Sequence, residues 1–197
     1  MKVYIVRHGR TLFNEKHLIQ GRCDAPLTQE GLNQAKALNK GLENIHFDAC
    51  FTSPLSRAMT TGKEIIKGKN IPFFTNDNLM EFNYGHLEGD SETKLMDLYP
   101  VFLGEKVEGF DGESLEDVKN RALKALEEIY HQYPQGNVLI VTHAGIITCL
   151  LKEISILDEN QLFDVENGAV TILERNYGWK IIDVNNKEYL KQGGYTK

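Results

Sequence analysis

The fold is decided by the stretch VLIVTHAG, residues 138–145, in which four apolar residues run directly into threonine, histidine and two small residues. A continuous apolar run of this kind is typical of a strand that is buried on both faces of a parallel sheet. Two other stretches repeat the pattern of an apolar run that meets a turn or a helix start, VYIVRHG at 3–9 and FTSPLSR at 51–57. The sequence therefore predicts an α/β protein with polar residues just beyond three strand ends.

The residues at these strand ends include two arginines and two histidines, namely Arg7, His8, Arg57 and His143. Ligands bind beyond the carboxyl ends of the strands in open α/β sheets, so we expect the four side chains to converge on one mouth. Arginine matches phosphate with a rigid fork of donors, and a neutral imidazole can act as a nucleophile. The set predicts a phosphoryl site, with one histidine as candidate nucleophile and the other as a charged donor to the phosphoryl oxygens.

Backbone N–H groups are expected to add to this site. Gly9 is expected to let the backbone after His8 approach a ligand closely. One helix should start at Ser53, where serine would cap and Pro54 would take the first helical position, and another should follow His143. Both helix starts are expected to leave free N–H groups that favour anions.

Strand-like and helix-like segments alternate along the rest of the chain, which predicts a mostly parallel open sheet with helices on both faces. Helices are indicated after an N-cap at Thr28, from 53 to about 66, after a capping box at Ser114, and over 144–153. Further strands are indicated at 71–74, 169–173 and 180–184, the last two as a hairpin. We expect one domain over 1–197, in which 10–26 is a loop and 82–112 is an irregular lid with one helix near 92–99.

Composition argues against several classes of protein. The chain has 197 residues, a net charge of -6 and no basic run, so a nucleic acid is not an expected partner. No apolar stretch approaches the roughly 18 residues of a membrane span, so a membrane is not an expected partner either. The first strand begins almost at Met1 and leaves no room for a signal peptide, so we expect a cytoplasmic protein. The three cysteines, Cys23, Cys50 and Cys149, form no CxxC pair, so we expect neither a disulfide framework nor a zinc site.

The segment RHGRT, residues 7–11, resembles the RHG signature of the histidine phosphatase superfamily, also called the phosphoglycerate mutase-like family. Further segments resemble the family in the expected order: Asn14, Gln20-Gly21, 26–28 with Gly31, 53–58, Glu81 with Gly85, 87–89, 112–114 and 141–145. The resemblance extends from Lys2 to about Leu151. Any one of these tripeptides is weak evidence, whereas the ordered set is specific.

The resemblance implies a role for each matched residue. His8 would become phosphorylated, while Arg7, Arg57 and His143 would form the phosphate pocket. Three residues are implied as substrate contacts, with Asn14 touching the phosphoryl group and Gln20 and Gly21 lining the neighbouring wall. The resemblance also implies that no metal or other cofactor is needed, because the arginines and the second histidine supply the positive field.

Glu81 resembles the family's proton donor to the leaving oxygen, and it would then act as the base for the water that hydrolyses the phosphohistidine. Because the segment that follows it is rich in acidic residues, Glu88 is the main rival for this role. A run of such residues is otherwise typical of a solvated acidic surface.

Two positions depart from the family pattern. Arg10 stands where glutamate or glutamine is common, and it either adds positive charge near the pocket or turns outward into a salt bridge. Members of the mutase branch follow the catalytic glutamate with an arginine and carry a later pair of arginines that grips the substrate. Here Phe82 follows Glu81, and residues 82–112 contain no arginine.

These observations favour a metal-independent phosphomonoester hydrolase of the histidine acid phosphatase type, acting on a small phosphorylated metabolite. The alternative is a cofactor-dependent phosphoglycerate mutase, which would return the phosphoryl group from a stably phosphorylated His8 to its product. A third hypothesis is a phosphoryl-binding module with weak turnover, but a binder has no need for both a nucleophile and an acid. The sequence leaves open whether the substrate is a sugar phosphate, a nucleotide, phosphoserine, phosphoglycerate or α-ribazole phosphate, and it does not indicate the oligomeric state.

Overall fold

The computed structural model describes residues 1–94, 111–155 and 165–196. Within these residues one sheet contains six strands: β1 Lys2–Arg7, β2 Ala49–Thr52, β3 Phe73–Thr75, β4 Asn137–Thr142, β5 Val170–Arg175 and β6 Trp179–Asn186. The helices of the described residues are α1 Leu12–Glu15, α2 Gln29–Gly41, α3 Ser56–Ile65, α4 Leu115–Gln132, α5 Ala144–Ile154 and α6 Glu188–Gln192. None of them combines the length and the apolar character needed to cross a bilayer.

The strand order is β3-β2-β4-β1-β5-β6, which places β4 between β1 and β2. The first four strands in this order run parallel, while β5 and β6 are antiparallel to their neighbours and form the expected hairpin. Arg7 lies opposite Thr142, and Thr52 lies opposite Val141. The carboxyl ends of β1, β2 and β4 therefore lie side by side, and the predicted mostly parallel open sheet is confirmed.

Helices cover both faces of the sheet because successive side chains of a strand point to opposite faces. In β1, Val3 and Ile5 pack into the core under α4 and α5, whereas Tyr4 and Val6 pack into a second core under α2, α3 and α6. Each of these helices packs one row of apolar side chains into its core. This arrangement confirms the prediction of helices on both faces.

The predicted caps of two long helices are present. The Thr28 hydroxyl accepts a hydrogen bond from Gly31 N at 3.1 Å at the start of α2. At the start of α4, Ser114 and Asp117 exchange the reciprocal bonds of a capping box. These interactions satisfy backbone donors that have no partner inside the helix.

The predicted start of α3 was wrong. The helix begins at Ser56, and Ser53 instead continues the line of β2, since Ser53 N donates to Val141 O at 3.0 Å. The Ser53 hydroxyl accepts from Leu55 N at 3.2 Å and so stabilises the turn before the helix. The free helical N–H groups expected after Ser53 therefore begin three residues later, next to Arg57.

Two other segments differ from expectation, and a third lies partly outside the described residues. The segment 10–26 contains a short helix, α1, because Thr11 and Asn14 form a capping box. A terminal helix, α6, was not predicted. Residues 95–99 of the helix expected near 92–99, and the proposed lid from 95 to 110, lie outside the described residues.

Candidate active site

His8 lies directly after β1, and its side chain is almost fully buried, with 3% exposed. Its Nδ1 atom lies 2.8 Å from the carbonyl oxygen of Gly9, which can only accept, so Nδ1 carries the proton and Nε2 keeps its lone pair. Burial and the charges of Arg57 and Arg7 hold the pKa of His8 well below its ordinary value. The imidazole is therefore neutral, with its unprotonated nitrogen, Nε2, turned away from the Gly9 carbonyl.

Arg57 lies in the first turn of α3, and only 1% of the residue is exposed. Its Nε donates to His8 Nε2 at 3.3 Å and to His143 Nδ1 at 3.2 Å. Its two terminal nitrogens donate to the carbonyls of Cys23 at 3.0 Å and Gly21 at 2.6 Å. Burial lowers the pKa of Arg57 to about 10, so the guanidinium stays charged at neutral pH.

His143 follows β4 and precedes α5, and it is completely buried. Because Nδ1 accepts from Arg57, the proton of the neutral ring is on Nε2, a buried atom with no hydrogen-bond partner among the described residues. Burial, the charge of Arg57, the neighbouring imidazole of His8 and the charge of Arg7 hold the pKa of His143 well below its usual value. The expectation of a charged donor is therefore corrected: the ring is neutral, and it can still donate through Nε2–H.

Arg7 completes the group of four. One of its terminal nitrogens donates to the carbonyl of Val165 at 2.6 Å, which fixes the side chain against the segment before β5. Its charge lowers the pKa values of both His8 and His143, after the effects of burial and of Arg57. The ring centroids of the two histidines lie 5.1 Å apart. The structure thus brings these four side chains together beyond the adjacent ends of β1, β2 and β4.

Gly9 lies where two segments of backbone approach each other closely. Its N–H donates to the hydroxyl of Thr61 at 3.0 Å, and that hydroxyl donates to the carbonyl of Arg57 at 2.7 Å. A Cβ atom at Gly9 would lie 2.5 Å from the carbonyl oxygen of Gly31. Glycine is needed here because two backbone segments approach closely, and Thr61 links the turn after His8 to the helix that carries Arg57.

The three predicted substrate contacts border this group. Asn14 Oδ1 accepts from Thr11 N at 3.1 Å, so the amide nitrogen is the end that can face a ligand. Gln20 Oε1 accepts from the Thr11 hydroxyl at 3.0 Å, whereas its buried Nε2 has no partner within the described residues. Gly21 has a positive φ of 50°, and a Cβ atom there would overlap the carboxylate of Glu88. Gly21 acts through its carbonyl, which binds Arg57.

Glu81 lies at the N-terminus of α5, and 9% of the residue is exposed. Its carboxylate accepts from Gly145 N at 3.2 Å and from Phe82 N at 3.0 Å. One of the N–H groups expected to be free for an anion after His143, that of Gly145, is therefore bonded to Glu81. Glu81 is also the charged residue with the strongest effect on the pKa of Arg57.

Glu88, the rival for the acid role, is an anchor for a loop. Its two carboxylate oxygens accept from the backbone N–H groups of Arg22 at 2.8 Å, Cys23 at 2.8 Å and Tyr84 at 3.2 Å. These bonds fix the loop whose carbonyls orient Arg57. Both glutamates therefore lie near enough to act on the charge of Arg57, Glu81 from the N-terminus of α5 and Glu88 from the loop that orients the guanidinium.

Arg10 turns outward, which is the second of the two possibilities that its position raised. Its guanidinium pairs with Glu30 at 3.8 Å and Glu15 at 4.0 Å, away from the strand ends. The side chain of His17 is mostly exposed and faces Glu92 at 3.5 Å. The charge of Arg10 is therefore paired with acidic side chains.

Sequence reasoning missed several residues that hold the site together. Asn167 donates from one amide nitrogen to the carbonyl of His8 at 3.0 Å and to Asn14 Oδ1 at 3.2 Å. Arg121 donates to the carbonyl of Glu81 at 2.9 Å. No local pattern marks these residues, because each acts on a partner that lies 40 or more positions away along the chain.

The described residues contain no group of three or more histidine, cysteine or acidic side chains arranged to hold a metal ion. All three cysteines are free thiols. Burial raises the pKa of Cys50 and of Cys149 to about 12, so neither is a reactive thiolate.

A buried, neutral histidine at a strand end, held among two arginines and a second histidine, is the arrangement that the strand-end motifs predicted. The family model of the histidine phosphatase superfamily (branch 1) matches residues 3–187, and the chain belongs to that superfamily. The uncharacterized phosphatase PhoE of Bacillus subtilis is 32% identical over 197 residues, which cover 99% of this chain and 98% of that protein. A 2,3-bisphosphoglycerate-dependent phosphoglycerate mutase of Cytophaga hutchinsonii is also 32% identical, over 95% of this chain and 92% of its own.

A solved structure, Bacillus stearothermophilus YhfR, has the same fold with a TM-score of 0.85. It is 27% identical in sequence, and the match covers 96% of this chain and 98% of that one. The relatives thus include proteins named as phosphatases and as mutases, and both share the fold.

Proposed function

We propose that this protein is a metal-independent phosphatase that hydrolyses a small phosphomonoester through a phosphohistidine on His8. The observation that carries the proposal is the protonation state of the His8 imidazole. Nδ1–H is held by the Gly9 carbonyl, Nε2 has the lone pair, and Arg57 lies 3.3 Å from that nitrogen. A neutral nucleophile beside a fixed cation is what attack on a phosphate ester requires.

In the first step His8 Nε2 bonds to phosphorus while the bond from phosphorus to the ester oxygen breaks. Glu81 enters this step as the carboxylic acid and gives its proton to the departing oxygen. The phosphorylated ring keeps its Nδ1 proton, which stays hydrogen-bonded to the Gly9 carbonyl. Arg57, Arg7 and His143 Nε2–H stabilise the phosphoryl oxygens, where the charge is greatest. In the second step water gives a proton to Glu81 and attacks phosphorus, which releases phosphate and restores His8.

Hydrolysis rather than phosphoryl return to a second substrate is supported by the residue after Glu81. Phe82 is buried and stacks on Tyr84, with ring centroids 5.5 Å apart, so this position offers an apolar ring instead of a cation. Residues 82–112 contain no arginine that could grip a second phosphate or a carboxylate. The names of the relatives do not choose between the two activities.

The proposed partner is a small phosphorylated metabolite, whose phosphoryl group Arg7 and Arg57 would bind. We also place the reaction in the cytoplasm, where three unpaired thiols would stay reduced. A panel of phosphomonoesters, assayed by phosphate release from the purified protein, would identify the class of leaving group.

The mechanism is tested by rapid quench with labelled substrate. The wild-type protein should trap acid-labile, base-stable label on His8, and His8→Ala should trap none and lose turnover. With 3-phosphoglycerate and a bisphosphoglycerate primer, phosphate release should exceed isomerisation. Near-normal turnover by His8→Ala would reject the covalent route, and a dominant 2-phosphoglycerate product would establish the mutase instead.

A further inference from the structure

Arg121 on α4 binds the backbone around Glu81. Its guanidinium donates to the carbonyl of Asn78 at 3.0 Å, to the carbonyl of Met80, and to the carbonyl of Glu81 at 2.9 Å. The side chain is only 13% exposed, and α4 is itself held by the core on that face of the sheet. The main chain that carries Glu81 is therefore fixed to a rigid helix by one charged side chain.

Glu113, immediately before the α4 cap, holds Arg121 in this position. Its two carboxylate oxygens accept from Arg121 Nε and Nη2, both at 2.9 Å, in a bidentate pair. It also exchanges two bonds with Asn83, two residues after Glu81, through Asn83 N at 2.9 Å and Asn83 O at 2.9 Å. The Glu81 segment is thus held on both sides.

The same carboxylate reaches the other side of the pocket. Arg22 Nη2 donates to Glu113 Oε1 at 2.9 Å. Arg22 lies between Gly21 and Cys23, whose carbonyls both accept from Arg57. One acidic side chain therefore connects the segment that carries the proposed acid with the loop that orients the phosphate-binding arginine.

The charge state of Glu113 suits this role. Burial alone would raise the pKa of its carboxyl, but the hydrogen bonds from Arg121 and Asn83 and the charges of Arg121 and Arg22 lower it overall. The carboxylate stays ionised at neutral pH, and charge-assisted bidentate bonds of this type are stronger and more directional than neutral ones.

We propose that Glu113 and Arg121 are positioning residues of the proposed phosphatase reaction, which set the Glu81 carboxyl against the leaving oxygen while Glu113, through Arg22, also sets the Arg57 loop. The proposal rests on the function proposed above. Neither residue touches the substrate. Their effect follows from the sensitivity of transfer reactions to geometry, since a misplacement of about 1 Å can lower a rate by about a hundredfold.

The test measures kcat/KM over a series of phosphate esters whose leaving groups range from alkyl alcohols to p-nitrophenol. Arg121→Met should lower kcat/KM by roughly 10- to 100-fold for alkyl phosphates and only a few-fold for p-nitrophenyl phosphate, whose leaving oxygen needs little protonation. Arg121→Lys should restore part of the loss. Glu113→Gln should show the same dependence on the leaving group and should also weaken inhibition by vanadate, because it loosens the loop that orients Arg57.

Arg175→Met is the matched control. Arg175 is a partly buried arginine that pairs with Glu127 and lies over the rings of Tyr130 and Trp179. It lies at the opposite end of the sheet from the site, beside Met1. Its replacement should lower the melting temperature without changing the dependence on the leaving group.

The outcomes separate the two claims. A wild-type protein that releases no phosphate from any ester and traps no label on His8 would remove the proposed function itself. A wild-type phosphatase whose Arg121→Met and Glu113→Gln variants lose activity equally for all leaving groups, or lose none, would overturn the positioning role alone. If Arg121→Met does not fold, Arg121→Lys and Glu113→Gln decide by the same criterion.

Discussion

Replacing Gly145 with alanine tests whether the close approach of α5 to Glu81 matters for proton transfer. Gly145 N donates to Glu81 at 3.2 Å. A Cβ atom at Gly145 would lie 2.6 Å from a ring carbon of Phe82 and closer still to a carboxylate oxygen of Glu81, whereas ordinary contacts begin at 3.4 Å. The carboxylate and the ring must therefore move by roughly 1 Å, the scale at which transfer rates fall by about a hundredfold.

The assay compares kcat/KM for an alkyl phosphate and for p-nitrophenyl phosphate. Gly145→Ala should lower the first by about a hundredfold and the second by only a few-fold, since general acid catalysis contributes about a hundred- to ten-thousand-fold where the leaving group needs a proton. Overpacking should also lower the free energy of unfolding by about 1–3 kcal/mol. Gly178→Ala is the control, because a Cβ atom there meets nothing within 4 Å, and it should leave activity unchanged.

Equal activity of Gly145→Ala and wild type on alkyl phosphates would refute this reasoning. So would a loss of the same size for both substrates, because that result would point to a general disturbance of the pocket instead of to Glu81. Vanadate inhibition provides a further check, since the arginines should still bind the anion in the variant.

Three other predictions follow from the same geometry. Glu81→Gln should lower turnover of alkyl phosphates by about a hundred- to ten-thousand-fold in a leaving-group series, and if Glu88→Gln alone gave that pattern the acid would be Glu88. Activity should survive a chelator, and restoration of lost activity by a divalent ion would contradict the metal-free scheme. As pH falls below about 6.5, His8 and His143 become protonated in the unfolded chain, whereas in the native state both rings stay neutral because their pKa values are lowered. The free energy of unfolding should therefore fall by up to about 1.4 kcal/mol per pH unit for each ring. His143→Gln should reduce that slope by one proton in pH-dependent denaturation, and an unchanged slope would count against it.

The parts of the fold that sequence reasoning predicted correctly are those that local patterns specify. The continuous apolar run of β4 and the capping residues Thr28 and Ser114 act within a few positions of themselves, so their meaning can be read without a partner. The predicted start of α3 was wrong because Ser53 N donates a hydrogen bond to Val141 O of β4, a strand that lies almost 90 positions later. The local sequence favoured a helix N-cap at Ser53, but hydrogen bonding to β4 holds Ser53 in line with β2 instead.

The site shows the same division. The strand-end motifs predicted which side chains would lie near one another, and the structure brings Arg57 within hydrogen-bond distance of both histidines. The protonation of His143 was not predicted, because it depends on complete burial and on the charges of the neighbouring arginines. The partners of Glu81 were not predicted either, since Gly145 and Arg121 lie 64 and 40 positions away.

The electrostatics of the pocket link the two properties that the proposed function needs, anion binding and a nucleophilic imidazole. Arg57 donates to two imidazoles and two carbonyls, so none of its hydrogen-bond partners carries a formal charge. Its positive potential is available to an anion, and the same potential, together with burial, keeps His8 and His143 neutral. A neutral His8 has the lone pair that a nucleophile needs, and a neutral His143 still has a proton to donate. Removing the charge of Arg57 would therefore weaken phosphate binding and at the same time raise the pKa of both rings, so the two properties cannot be changed independently at this residue.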